Sequence, residues 1–202
     1  MLHPTHELEP PANPARFRII QLADGVYTGK FVIEMDGLTL VSASGNSEKV
    51  VLKGSFRTDN NVPDEETVAQ FFEKAASYSA NAGSGITVKA DNVTIKDITI
   101  REYRNGIALE TNMGLTIDNV VFDENIHSLH KETGSAVVKG LTLVNSRFED
   151  GYIGVHVVAA NESGEFSDIT IDNVTFQRLV EKGMYFEQLS NAKLTNLEME
   201  AV

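Results

Sequence analysis

Short runs of alternating apolar and polar residues recur along this chain, each interrupted after a few residues by a polar pair. In Val93-Thr94-Ile95-Lys96-Asp97-Ile98-Thr99-Ile100, Ile95 is set to point inward and Thr94 outward; after Lys96-Asp97 the phase resumes with Ile98 and Ile100 inside. Alternation of period two predicts strand, and the interruption predicts a sharp bend between two short strands. The same unit begins at Leu115, Leu141, Ile169 and Ala192, and its third position is Ile95, Ile117, Leu143, Ile171 and Leu194, spaced by 22, 26, 28 and 23 residues. A constant unit joined by variable connections predicts coils stacked on one another with loops inserted between them.

The second residue of each bend is Asp97, Asn119, Asn145, Asn173 or Asn196. These residue types enter the left-handed backbone region more readily than other non-glycine residues. Stacked at strand spacing, about 4.8 Å, they are placed to bond from coil to coil in a ladder. A third strand follows in each coil, at Gly85–Val88, Gly106–Leu109, Ser128–Lys131, Gly154–Val157 and Gly183–Phe186. Three strands and three corners per turn define an all-β chain, a parallel β-helix.

Between Phe56 and Gly85 the period fails. Val68, Phe71, Phe72 and Ala75 recur at helical spacing after the turn signals of Asp59 to Asp64, predicting one amphipathic helix of about three to four turns inserted at a corner. Packing on the solenoid flank is the expectation for it, with a lid over a groove or a contact for a partner as the alternatives. The domain plan is an N-terminal extension over 1–16 and a single β-helix over 17–202, with the helical insertion at about 59–84. Nothing in the last strand pair reads as a cap. The open coil at Leu194, Leu197 and Met199 is therefore expected to self-associate or to meet a partner.

Charge narrows the partners. Seventeen Lys and Arg against 29 Asp and Glu give a net charge of −12, which argues against nucleic acid and anionic membranes, since both require a basic footprint. No apolar run approaches membrane-span length. The first residues have neither the basic nor the apolar region of a secretory signal, so no signal peptide is expected within them; a leaderless protein, export by another route and a trimmed start all fit. No cysteine is present, which removes disulfides and thiolate metal sites. The acidity would suit Ca²⁺, although neither an EF-hand loop nor a glycine-rich calcium nonapeptide occurs; no cofactor or metal ligand set is assigned.

The coil pattern and its asparagine corner resemble the pectate-lyase-like superfamily, which implies a right-handed helix. Residues 17–56, with Ile20-Gln21-Leu22-Ala23-Asp24-Gly25-Val26-Tyr27 reading as strand, turn, strand, are similar to the opening coils of polysaccharide lyase family six and the related mannuronan epimerases. That resemblance implies a polysaccharide partner, an extracellular or periplasmic setting, and a site on the outer face of one sheet. On the third strand the outward row reads Thr87, Ala108, His130, His156 and Tyr185, beside the longest connections. The chemistry implied is abstraction of the C5 proton of a uronate. His130 or His156 is the candidate base and Tyr185 the acid, with Lys131, Arg147 or Arg178 neutralising the carboxylate. Glu110, Glu132, Asp150 and Glu187 lie near the corners where a hydrolase would hold two carboxylates. The Lys/Arg pair of family six has only these nearest candidates, and the aspartate–proline–histidine element of the epimerases is absent. A lyase- or epimerase-like enzyme and a non-catalytic module for carbohydrate binding, adhesion or assembly both remain open at this point.

Overall fold

A computed structural model describes residues 18–75, 77–79, 81–131, 133–159 and 163–200; the extension over 1–16 and Glu132 lie outside them. The chain is a parallel β-solenoid, with every strand pair running in the same direction. One sheet of twelve strands carries the two strands on either side of the asparagine corner, and a second of six carries the third strand. The register is the one the repeat implies. Thr94–Arg101 pairs with Thr116–Asp123 through Ile95↔Ile117 and Ile100↔Phe122, and Ile117 then pairs with Leu143 and Leu143 with Ile171. These inward residues are fully buried, forming one continuous core along the stack.

The core has a large side and a small side. Phe122, Phe148 and Phe176 stack face to face, with centroids 4.5 and 4.9 Å apart. Opposite them, in five of the six strands of the smaller sheet, the second residue is small: Gly85, Gly106, Ser128, Gly154 and Gly183. A Cβ on Gly106 would stand 3.1 Å from Phe122, and one on Gly154 would stand 2.8 Å from Phe176 and 2.4 Å from the Gly183 carbonyl. Each missing side chain makes room for a ring.

Each coil turns three corners, and each corner uses left-handed backbone. Asp97, Asn119, Asn145, Asn173 and Asn196 have φ between 50° and 57°, as their residue types favour. Only part of the expected ladder runs from corner residue to corner residue. The Asn119 amide donates to Asp97 and the Asn173 amide to Asn145, both at 2.8 Å. Asn145 and Asn196 donate instead to Asp118 and Asp172, one residue ahead of the previous corner. Left-handed residues also occur at Asn92, Gly114, Gly140, Asp168 and Asn191, and at Glu102, Glu124, Asp150 and Arg178.

The inserted segment holds two short helices, Phe56–Asn60 and Val68–Lys74, instead of one long one. Pro63 and the turn at Asp64 separate them, and a capping box between Thr67 and Gln70 opens the second. Phe56, Phe71 and Phe72 pack with Ile126 and Tyr152, so the insertion lies on the flank of the solenoid. Ile126 and Tyr152 immediately precede two strands of the six-stranded sheet. No helix among the described residues is long and apolar enough to cross a membrane.

Candidate functional site

On the six-stranded sheet, Thr87 pairs with Ala108, Ala108 with His130, His130 with His156 and His156 with Tyr185. The outward row is therefore continuous across four coil-to-coil steps. Beside its Thr87 end opens a cleft of about 370 Å³ lined by Ser84, Thr87, Glu110, Thr111, Thr133 and Ser135, among others. Its walls are rich in hydroxyl groups.

Three imidazoles gather in this row. The ring centroids of His127, His130 and His156 lie 4.6, 4.5 and 4.9 Å apart, and the His130 and His156 planes differ by 5°. Strict alternation counted back from Leu129 would put His127 inside. The fully buried Ser128, in the small-residue column, breaks that alternation, so positions 127 and 130 meet on one side.

The hydrogen bonds assign the protons. His130 Nδ1 lies 3.2 Å from the His156 carbonyl oxygen and 3.0 Å from His156 Nδ1. A carbonyl only accepts, so His130 Nδ1 carries the proton and His156 Nδ1 accepts, which leaves the lone pair of His130 on Nε2. His127 Nδ1 faces Asn105 Oδ1 at 3.3 Å, while the Asn105 amide donates to Ser84. His127 Nδ1 is accordingly a donor too, and its Nε2 carries the free pair. Burial first, then the neighbouring rings and Arg104, pushes His127 down to about 3; burial and His156 push His130 down to about 4. Burial also lowers His156, against the pull of Glu181 and Glu187. All three are uncharged at neutral pH.

Tyr185 tilts over His156 at 5.4 Å, and its hydroxyl donates to Glu187 at 2.9 Å, which raises its pKa. Lys182 lies over the Tyr185 ring and pairs with Glu181. Glu187 also accepts from the Ala159 amide. Glu110 lies on the cleft wall, 3.7 Å from Lys89. His130, His156, Tyr185, Glu110 and Glu187 thus share one face of the solenoid.

The other candidates are placed elsewhere. Lys131 is fully buried and donates to the Gly134 and Val158 carbonyls and to Gln188 Oε1 at 3.0–3.2 Å. Arg147 belongs to the twelve-stranded sheet and pairs with Glu149 at 2.9 Å. Arg178 binds Asp150 through two nitrogens and also reaches Glu149. Asp150 and Arg178 thus pair with each other at a corner outside the histidine row. In the same charged band, burial raises Asp123 to about 7 against the attraction of Arg101.

Residues 84–201 match the family described as the right-handed β-helix region. That is more than half of the chain, and the protein belongs to this family. Among solved structures, it is similar to a pectin methylesterase from Yersinia enterocolitica. The identity is 14%, with 96% of this chain and 88% of that chain covered and a TM-score of 0.37. No curated protein matches.

Proposed function

We propose that this β-helix acts on an acidic, uronate-containing polysaccharide laid across its six-stranded sheet, in a lyase- or C5-epimerase-like reaction. The observation that carries the reading is the in-register row His130–His156–Tyr185 running into a hydroxyl-lined cleft. The opening-coil resemblance to polysaccharide lyase family six points the same way. His130 is uncharged, with a free pair on Nε2 to take the C5 proton, and the electrons pass to the uronate carboxylate. Lys182 and Arg104 bring positive charge to this face. Expulsion of the C4 oxygen, with a proton from Tyr185, makes the unsaturated end of a lyase product; reprotonation from the opposite face makes the epimer.

The test is incubation with a panel of uronate polymers, read by absorbance of unsaturated ends and by proton NMR. The parent should turn over at least one polymer, and His130→Gln should lose at least about 100-fold while keeping its circular dichroism. Failure on every polymer would end the reading. A second reading, a non-catalytic carbohydrate-binding or assembly module, draws support from the same imidazole: burial that lowers its proton affinity also makes it a weak base.

Self-association through the C-terminal coil belongs to the proposal as well. Leu194 is 39% exposed and Met199 51% exposed on the last strand, and covering apolar side chains of this kind is worth about 1.5–3 kcal/mol each at full burial. Light scattering at micromolar concentration should give more than a monomer mass, and Met199→Glu should reduce it. A monomeric parent with an ordered last coil would refute this part.

A further inference from the structure

We propose that His127, His130 and His156 form a three-nitrogen site for a divalent transition-metal ion of the zinc class. The proposal does not depend on the polysaccharide reading, and it competes with His130 as the base there, because a bound ion occupies the pair on His130 Nε2. One ring nitrogen from each residue lies within 4.8 Å of one from each of the others. Tetrahedral coordination at about 2.0–2.1 Å places ligand nitrogens about 3.3 Å apart, so closing the triangle needs side-chain adjustment on the order of 1 Å. Two strands of a hydrogen-bonded sheet supply all three ligands, which limits that adjustment to side-chain torsions.

The second observation is the set of groups behind the rings. Histidines that bind metals usually donate their other ring N–H to a carbonyl or carboxylate, which fixes the tautomer and aims the free nitrogen. His127 has Asn105 Oδ1 in that role and His130 has the His156 carbonyl. Both tautomers leave Nε2 unprotonated before any ion arrives. His156 gives up only the contact its Nδ1 makes with His130. All three rings are uncharged, the form that binds metal.

Charge around the site is mixed. Glu181 and Glu187 act on His156 in favour of a cation, while Arg104 and Lys182 oppose it. Imidazole donors select zinc, copper or nickel over calcium, which takes oxygen ligands. Three protein ligands would leave a fourth position for water or a ligand's oxygen.

Calorimetric titration of the full chain with ZnCl₂ alone should show one equivalent bound with a micromolar or tighter Kd. His127→Gln and His156→Gln change half-buried rings, and each should weaken binding at least about tenfold with circular dichroism and urea midpoint confirming the fold. The chain's other two histidines are His3 and His6, and a His3→Ala/His6→Ala variant should bind as the parent does. Co²⁺ in place of Zn²⁺ gives a reading that needs no substitution: the ring protons of His127, His130 and His156 should show the hyperfine shifts. No zinc uptake up to millimolar concentration would overturn the site. So would full-strength binding in both glutamine variants, or hyperfine shifts confined to His3 and His6.

Discussion

Phe148→Ala should lower stability by about 3–5 kcal/mol, the range for removing a buried ring. Phe148 is the middle of three stacked phenylalanines and is fully buried. It loses a neighbour on both sides, where Phe122 or Phe176 would lose one ring contact. The surroundings decide where in the range the cost falls. Across the core the small-residue column has Ser128 at this level, between Gly106 and Gly154, which face Phe122 and Phe176. A side chain that small does not refill the space of a ring, and the flanking coils are held by parallel pairing through Phe122↔Phe148↔Phe176. A cavity that does not collapse keeps its full penalty, so the value should lie at the upper end. Urea denaturation followed by circular dichroism measures it. A midpoint shift equivalent to less than about 1 kcal/mol would mean the coils slide together and that the stack is not a rigid column.

The strand pattern was legible because burial enforces it. An inward position exposed by a one-residue slip would move a whole strand's apolar set into water, so Ile95, Ile117, Leu143 and Ile171 stay in phase along the sequence. The asparagine corner was legible for a similar reason, since few residue types enter left-handed backbone cheaply. The other two left-handed corners were not. Glycine, asparagine and aspartate share one of them, and at the other Glu102, Glu124, Asp150 and Arg178 hold the conformation within a web of ion pairs such as Glu124–Arg57 and Asp150–Arg178. A corner stabilised by tertiary charge pairs leaves no single residue type to read. The helix was overextended because apolar spacing from Val68 to Ala75 carries no record of where Asn61, Pro63 and Ala75 break the backbone.

At the site, alternation located the row Thr87–Tyr185 and missed His127. The signal that would have found it is the small residue at the second position of five strands of the smaller sheet, Gly85, Gly106, Ser128, Gly154 and Gly183. A column of small residues beside apolar ones indicates two consecutive inward positions, which returns the preceding residue to the outer face. The distribution of cations was less legible. Arg178 has its partner Asp150 28 residues away, on the neighbouring coil, and one strand's pattern says nothing of it; Arg147 pairs within its own strand with Glu149, two residues on and on the same face.

Lys131 shows how a charged side chain can belong to the architecture, and its replacement should have the other large effect. The alternation that puts His130 outside puts Lys131 inside, after Leu129. Its ammonium is dry and donates to Gly134 O, Val158 O and Gln188 Oε1, while the Gln188 amide donates on to Gly164 O. One amine thereby ties the connections that follow three successive strands, including the segment that carries Thr133 and Ser135 on the cleft wall. Lys131→Met keeps the length of the side chain and removes the donor. Buried acceptors left without a partner cost about 1–3 kcal/mol each, so losing the donor to three of them should cost at least about 3 kcal/mol in total. The urea midpoint should fall accordingly, and amide exchange should quicken across 133–136 and 157–159 before the strands themselves open. If the midpoint and the exchange pattern both match the parent, the three carbonyl-group contacts are dispensable and Lys131 is not the tie between these coils.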